Sequence, residues 1–228
     1  MAEKIIRFNR NLHFEGNLPE GISVMNPYRE SPEALDVSSR FFRKFYEDTR
    51  PRHIILGINP GRFGSGVTGV AFTDTKRLRQ VCGIPFEGKE THEPSSVFVY
   101  KMIEAFGGAE AFYGKFYINS VCPLGFTTTN ARGKEVNANY YDTPELQEAA
   151  LPFIRKSIGA QLAFGMNRKL GFCFGVRNET FLKKLNKQHH FFERIITLEH
   201  PRYIVQYKSA SREVYIQKYL EAFAEAEK

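Results

Sequence analysis

Four short apolar runs divide this chain into alternating segments. They cover residues 53–58, 116–121, 161–164 and 194–198, and each has the length and composition of a buried strand. Patterns with helical spacing separate these runs. Strands that alternate with helices pack as a mainly parallel sheet with helices on both faces. The sequence therefore predicts an α/β fold, a three-layer α/β/α sandwich around a mainly parallel four-stranded sheet.

The helical segments carry recognisable ends. Asp74 is a candidate N-cap for a helix over residues 76–82, and Gly83 is its stop. A helix over residues 95–106 follows Pro94 and ends at Gly107. Further helices are predicted over residues 39–46, 144–158, 178–185 and 211–224. The last one places an apolar stripe on one face, which we expect to pack in the core: Ile216, Tyr219, Leu220 and Phe223.

Length and composition fit one globular domain. The chain has 228 residues, of which 42% are hydrophobic and 25% are charged, so we expect a single domain over residues 1–228. No apolar run approaches the ~18 residues of a membrane span. Residues 1–21 lack the apolar segment of a secretory signal.

The three cysteines are far apart in the sequence and form no Cys-x-x-Cys pair. Such cysteines indicate neither a zinc site nor a redox pair. We expect Cys82, Cys122 and Cys173 to be reduced core residues. The protein is then expected to be intracellular, and cytoplasmic if it is bacterial.

The chain is basic, with a formal net charge of +7. This balance favours polyanionic partners, nucleic acid first, although a merely soluble basic surface would have the same charge. The charge is spread along the sequence, with no basic tail. A DNA-binding site would therefore have to be assembled by folding.

Polar segments leave three of the predicted strands. They are residues 59–72, the residues around Asn119, and residues 200–208. Ligands of α/β folds bind outside the carboxyl ends of the strands, so these segments are expected to converge on one site. Residues 127–141 form the longest stretch without a regular pattern, and this Asn-rich segment is a further candidate functional loop.

The first polar segment contains the pattern G-x-G-x-x-G at residues 64–69. After a strand, this pattern can mark a dinucleotide site. Here Asn59-Pro60-Gly61 separates the strand from the first glycine, and no second strand ends in an acidic residue about 20 residues later. A nucleotide-binding oxidoreductase is therefore a weak alternative.

The same segment resembles motif one of the single-strand-selective monofunctional uracil-DNA glycosylases, in the uracil-DNA glycosylase superfamily. That family carries Gly-x-Asn-Pro-Gly-x-Phe-Gly followed by Thr-Gly-Val-x-Phe. The matching residues are Gly57, Asn59, Pro60, Gly61, Phe63, Gly64, Thr68, Gly69, Val70 and Phe72. Residues 119–124 resemble its Asn-x-x-Cys-Pro-Leu motif, and residues 198–201 its Leu-x-His-Pro motif. The resemblance runs from about residue 24 to the C-terminus.

Two departures indicate a divergent branch of that family. Its better-known members read Ser-Pro-Arg after the His-Pro pair, whereas this chain reads Arg202-Tyr203-Ile204. Arg62 and Ser65 also replace the residues that those members carry in the first loop. Any altered base preference is expected to arise at Arg62 and Ser65.

The resemblance implies two catalytic residues. Asn59 would position the attacking water, because an amide accepts a hydrogen bond but cannot act as a general base near pH 7. His200 would donate to uracil O2 while negative charge develops on the departing base. The alternatives are a turn-forming Asn59 before Pro60 and a structural His200.

The resemblance also implies base and DNA contacts. Asn119 would read the uracil edge, Phe72 would stack on the base, and backbone near Gly61 would approach it closely. The alternatives are a loop-closing Asn119 and a core Phe72. Ser95 suits a phosphate at a helix N-terminus, although N-capping explains it equally well. The wedge and clamp that hold the opened DNA are expected among Arg202, Tyr203, Ile204 and Lys208.

The resulting prediction is a monofunctional DNA glycosylase of base-excision repair. It would flip and hydrolyse uracil, and other deaminated bases are possible substrates. We expect a monomer that acts on DNA, without a membrane association, a metal or an organic cofactor, and without lyase activity. A catalytically silent DNA-binding relative of the same fold is the main alternative.

Overall fold

A computed structural model describes residues 1–227. In this part of the chain, seven strands lie at Ile22–Met25 (β1), Arg52–Gly57 (β2), Phe116–Ser120 (β3), Gly125–Thr129 (β4), Glu135–Ala138 (β5), Met166–Phe174 (β6) and Arg194–Leu198 (β7). The α-helices lie at Ala2–Asn11 (α1), Pro27–Glu30 (α2), Pro32–Tyr46 (α3), Ser65–Thr68 (α4), Thr75–Gln80 (α5), Pro94–Ala105 (α6), Ala109–Lys115 (α7), Pro144–Leu162 (α8), Val176–His189 (α9), Pro201–Tyr207 (α10) and Arg212–Ala224 (α11).

The central sheet has four parallel strands in the order β3-β2-β6-β7. Successive strand residues point to opposite sides of the sheet. Because side chains on both sides are apolar, helices pack on both faces. Phe116 packs on Phe223 of α11, with ring centroids 4.7 Å apart, while the next residue, Tyr117, packs on Tyr46 of α3 at 5.8 Å. The predicted three-layer sandwich is confirmed.

A second sheet of three antiparallel strands, in the order β1-β4-β5, was not predicted. β4 and β5 are short and largely polar, and β1 is apolar but only four residues long, so none of the three gives the signal of a long buried strand. β4 and β5 form a hairpin over residues 125–138, which overlaps most of residues 127–141, the stretch expected to be irregular. That expectation was wrong, because strand pairing satisfies the backbone of this polar segment.

One of the four predicted strands was misplaced. Gln161 and Leu162, in the run over residues 161–164, are the buried last residues of α8. Gly165, at φ +115°, then turns the chain into β6, which begins at Met166. The first residues of β6 include exposed Arg168 and Lys169, so the apolar pattern did not reveal where this strand begins.

Each predicted helix is present, although α3 begins at Pro32 and not at residue 39. Asp74 caps α5 by accepting a hydrogen bond from the Arg77 backbone N–H at 2.9 Å. Ile216, Tyr219 and Phe223 of α11 are buried, and Leu220 packs against them. Helix α1 was missed because its sequence is mostly polar, although Ile5 and Ile6 are buried.

The three cysteines are unpaired and buried. Over residues 1–227, the structure contains no helix that combines the length and the apolar character needed to span a membrane.

Candidate active site

A cavity of about 670 Å³ opens at the carboxyl edge of the parallel sheet. Its walls come from the loop after β2, the start of α6, the β5 segment and the start of α10. Six of the predicted site residues line it: Asn59, Gly61, Phe72, Ser95, His200 and Arg202. The expected convergence of separate polar segments on one site is therefore present.

Asn59 is held by the backbone that follows β5. Its Oδ1 accepts from the Tyr140 N–H at 3.1 Å, and its Nδ2 donates to the Ala138 carbonyl at 3.1 Å. The Tyr140 N–H can only donate, so these bonds fix which end of the amide is oxygen. Oδ1 keeps a second lone pair that can accept a hydrogen bond from water.

His200 is the N-cap of α10, and its ring orientation follows from that position. Its Nδ1 accepts from the Arg202 backbone N–H at 3.2 Å. Burial, together with the charge of Arg202, lowers the pKa of His200 to about 4. The imidazole is therefore neutral at pH 7. Because Nδ1 is an acceptor, the ring proton is on Nε2, which can serve as a donor.

Phe72 occupies a strained backbone conformation beside His200. Its φ is +53°, and such a left-handed conformation costs a non-glycine residue about 1–3 kcal/mol. The ring lies against Gly57, where an added Cβ would be 2.6 Å from Phe72 Cζ. It also packs edge-on against Phe174 at 5.5 Å and lies 5.7 Å from the His200 ring. The glycine of β2 thus leaves room for this aromatic wall.

Asn119 lies deeper than the other predicted residues and is not part of the cavity wall. It exposes 8% of its surface, near the end of β3, and the next residue, Ser120, lines the cavity. Its Nδ2 donates to Tyr117 Oη at 2.6 Å, and its Oδ1 accepts from the Ser120 N–H at 2.9 Å. One amide hydrogen and one oxygen lone pair remain unused by these bonds.

Residues 201–207 form a helix, so the residues predicted to contact DNA here differ in their exposure. Arg202, Tyr203 and Lys208 are exposed. Ile204 has no exposed surface and belongs to the core, so its predicted contact with DNA is incorrect. Because a helix turns about 100° per residue, Ile204 faces inward with Pro201, while Arg202 and Tyr203 face outward.

Two adjacent serines at the start of α6, Ser95 and Ser96, have different surroundings. Ser96 Oγ accepts from the Asp74 N–H at 3.1 Å and donates to Glu93 Oε2 at 3.4 Å, so its hydroxyl is used within the protein. Ser95 is buried and lines the cavity. The predicted contact of Ser95 with a phosphate stays a prediction.

Glu93 also lines the cavity, and it was not identified as a site residue from the sequence. Its carboxyl packs on the backbone of Gly64, where any Cβ would collide with it. Burial and the nearby Asp74 carboxylate raise the pKa of Glu93 to about 7, while Ser96 and Arg202 oppose that shift. A carboxyl group at this position is partly protonated at neutral pH.

Arg62 and Ser65, the residues of the first loop that differ from the family pattern, have different surroundings. Arg62 forms an ion pair with Glu135 of β5 at 2.8 Å, and its backbone N–H donates to Asn137 Oδ1 at 3.1 Å. Ser65 is buried and lines the cavity. Asn137 and Asn139 also line it, and both were missed as individual residues because only the Asn-rich composition of their segment was visible.

A second cavity, of about 740 Å³, lies between α1 and α8. None of the predicted site residues lines it, although it is the larger of the two. The assignment of the site therefore rests on the side chains that converge, since size alone would favour the wrong cavity.

Comparisons with known proteins identify relatives of this chain. The sequence model of the uracil DNA glycosylase superfamily matches residues 43–224. The crystal structure of wild-type Pedobacter heparinus SMUG2 is similar to this chain, with 54% sequence identity and a TM-score of 0.96. The match covers 98% of this chain and 96% of that one. No curated protein matches the chain significantly.

Proposed function

Because this chain belongs to the uracil DNA glycosylase superfamily, we propose that it flips uracil out of DNA and hydrolyses its glycosidic bond. The observation that supports this most directly is one cavity lined by Asn59, Phe72 and His200. The function is of the uracil-DNA glycosylase type and belongs to DNA repair. The proposal extends it to the roles of individual residues and to other deaminated bases as substrates.

The reaction breaks the bond between the sugar C1′ and the base, and the bonding electrons leave with the base. Water then adds to C1′ and releases a proton to solvent, and the base, which departs as an anion, takes up a proton from solvent. Asn59 would hold this water through the free lone pair of Oδ1 but cannot remove its proton near pH 7. The departure of the base must therefore precede most of the bond formation to water.

His200 would stabilise the departing base. Its Nε2–H would donate to uracil O2 as negative charge develops there, and preorganised donors of this kind contribute about 3–4 kcal/mol. With a pKa of about 4, His200 is a neutral imidazole at pH 7 and carries one ring proton, on Nε2. It therefore acts as a hydrogen-bond donor throughout the step.

Base recognition would use Phe72, Gly61 and Asn119. Stacking on an aromatic ring contributes about 1–3 kcal/mol per base. The two unused groups of Asn119 would accept from uracil N3–H and donate to O4. Cytosine presents the reverse pattern and would leave both groups unsatisfied.

Opening the duplex costs a few kcal/mol, which outer contacts must offset. Arg202, Tyr203, Lys208 and Ser95 are proposed to make those contacts. These roles call for no metal or organic cofactor, and one chain supplies all of them, so we propose that the protein acts as a monomer. Of the described residues around the cavity, none is a lysine that could form a Schiff base. The proposal therefore includes no strand cleavage.

The test uses oligonucleotides with one uracil, hypoxanthine or xanthine, treated with alkali after incubation. We expect alkali-labile sites at uracil and no cleavage before alkali. Asn59→Ala should lower the single-turnover rate by about 100-fold or more, because the water loses its position. Asn167→Ala is the matched control, since Asn167 lies at the opposite end of the sheet, at the start of β6.

If alkali cleaves none of the three oligonucleotides after incubation, the proposed activity is refuted and a catalytically silent DNA-binding protein is favoured. A full excision rate in Asn59→Ala would refute the position of the water. Binding of both variants to abasic DNA, together with their melting temperatures, separates loss of catalysis from loss of folding.

A further inference from the structure

A buried tyrosine hydroxyl lies directly beneath the side chain proposed to read the base. Tyr117 and Asn119 point to the same face of β3, because they are two residues apart in a strand. Tyr117 has no exposed surface, and its Oη lies 2.6 Å from Asn119 Nδ2. The three matching motifs do not include position 117, so neither the motifs nor the roles given above explain this hydroxyl.

Two neighbours together permit only one orientation of the Asn119 amide. The Ser120 backbone N–H can only donate, so the amide oxygen must face it, at 2.9 Å. The amide nitrogen then faces Tyr117 Oη, which accepts. A flipped amide would place N–H groups against the Ser120 N–H and lose that bond.

The tyrosine is itself held in place. Its ring packs against Tyr46, Phe42 and Phe164, with centroid distances of 5.8, 6.4 and 5.9 Å. Burial raises the pKa of the Tyr117 hydroxyl well above its usual value, so the group stays neutral. The hydrogen-bond partner of Asn119 is therefore fixed both in position and in charge.

We propose that Tyr117 is a positioning residue for base recognition, and that its hydroxyl and the Ser120 N–H together hold the Asn119 amide in the orientation that fits uracil and rejects cytosine. This inference rests on the proposed function, in which Asn119 reads the base. Tyr117 does not touch the base and acts only through Asn119.

The test is a double-mutant cycle with Tyr117→Phe, Asn119→Ala and the combined variant. The single-turnover excision rate is measured on a single-stranded oligonucleotide that contains one uracil. Loss of one buried hydrogen bond to the amide should slow Tyr117→Phe by about 5- to 30-fold. In the Asn119→Ala background the same change should alter the rate by less than about 2-fold, because the group that Tyr117 positions is gone.

Tyr46→Phe is the matched control. Tyr46 is a fully buried tyrosine of the same aromatic cluster, and its hydroxyl donates to the Phe116 carbonyl at 2.9 Å. This variant also loses one buried hydrogen bond, so its melting temperature should fall. Its excision rate should change by less than about 2-fold in both backgrounds.

The outcomes separate the two proposals. A normal rate in Asn119→Ala would refute base reading by Asn119, and the inference would fall with it. A slow Asn119→Ala beside a normal Tyr117→Phe would overturn the inference alone. Equal losses from Tyr117→Phe in both backgrounds would also overturn it, since they would indicate a general structural role.

A measurement on the unmodified protein covers the case in which Tyr117→Phe does not fold. Hydrogen exchange of the Asn119 side-chain amide is compared with that of Asn130, a half-buried residue of the β4–β5 turn. We expect slower exchange at Asn119. Equal exchange at the two amides would show that the hydroxyl does not hold Asn119.

Discussion

Backbone groups set the hydrogen-bonding direction of three side chains in the site. Asn59 is oriented by the Tyr140 N–H, Asn119 by the Ser120 N–H, and His200 by the Arg202 N–H. A backbone N–H has no alternative role, so each side chain presents a defined donor or acceptor before any ligand arrives. Groups that are already oriented need no rearrangement during the reaction, which is the basis of electrostatic preorganisation.

Glu93 gives a prediction for the pH dependence of stability. In the folded protein the pKa of the Glu93 carboxyl group is about 7, whereas the ordinary pKa of a glutamic acid is 4.5. Folding therefore binds a proton between these values, and the wild type loses stability as the pH rises from about 4.5 to 7. Glu93→Gln removes this loss. We expect it to stabilise the protein by about 1–2 kcal/mol at pH 8, after allowance for the partial exposure of Glu93, and not at pH 4.

Urea denaturation at the two pH values measures this difference. Glu110→Gln serves as the control, because it removes an exposed carboxyl group on α7. A stabilisation of Glu93→Gln that is equal at pH 4 and pH 8 would show that the carboxyl does not titrate as described.

At the scale of elements, α10 determines which of the proposed DNA contacts are exposed. His200 caps this helix, Pro201 begins it, and Ile204 anchors it in the core. Tyr203 is 43% exposed and stacks on Tyr207, one turn later, at 5.4 Å. A short helix anchored on one face presents Tyr203 with less freedom than a loop would. Tyr203 is therefore the better candidate for the wedge.

Tyr203→Ala should slow excision from duplex DNA by about 10-fold more than excision from single-stranded DNA. A wedge fills the gap left in a base stack, and a single strand has little stacking to restore. Single-turnover rates on the two substrates give the ratio. Val214→Ala, which removes another exposed apolar side chain on α11, should leave the ratio unchanged. Equal losses on both substrates would assign Tyr203 to another role.

At the scale of the whole molecule, the two sheets meet at the cavity. Asn59 follows the parallel sheet, yet its amide bonds to Ala138 and Tyr140, at the end of the antiparallel sheet. The ion pair of Arg62 with Glu135 joins the same two regions. We propose that the chain folds as one domain, because the loop that carries Asn59 is completed only when both sheets are formed.

The net charge of +7 gives a prediction for DNA affinity. Binding to an abasic oligonucleotide should weaken as salt rises, and the log–log slope should be about −4, as for four to five phosphate contacts. Arg202→Ala should reduce the magnitude of this slope by about 1. Lys156→Ala, in the cavity between α1 and α8, should not change it. Fluorescence anisotropy over a salt series measures both slopes, and an unchanged slope in Arg202→Ala would remove that residue from the phosphate contacts.

The sequence by itself determined the parallel sheet, the helix caps and the order of the three motifs. These features are local: apolar runs indicate β2, β3 and β7, and Asp74 caps α5 through a bond three residues away. The positions of Asn59, Phe72 and His200 were also readable, because each follows a strand at motif spacing. Such signals need no knowledge of the rest of the chain.

Only the tertiary structure decided the rest. The polar strand β5 exists because β4 pairs with it, and its neighbours close the cavity around Asn59. Ile204 is buried, and not exposed as predicted for a DNA contact, because residues 201–207 form a helix packed on the core. The pKa of Glu93 and the hydroxyl beneath Asn119 depend on burial and on neighbours that are distant in the sequence or set by strand geometry. Burial and pairing are properties of the assembled fold, and the free energy of a buried polar group depends on partners that no local pattern specifies.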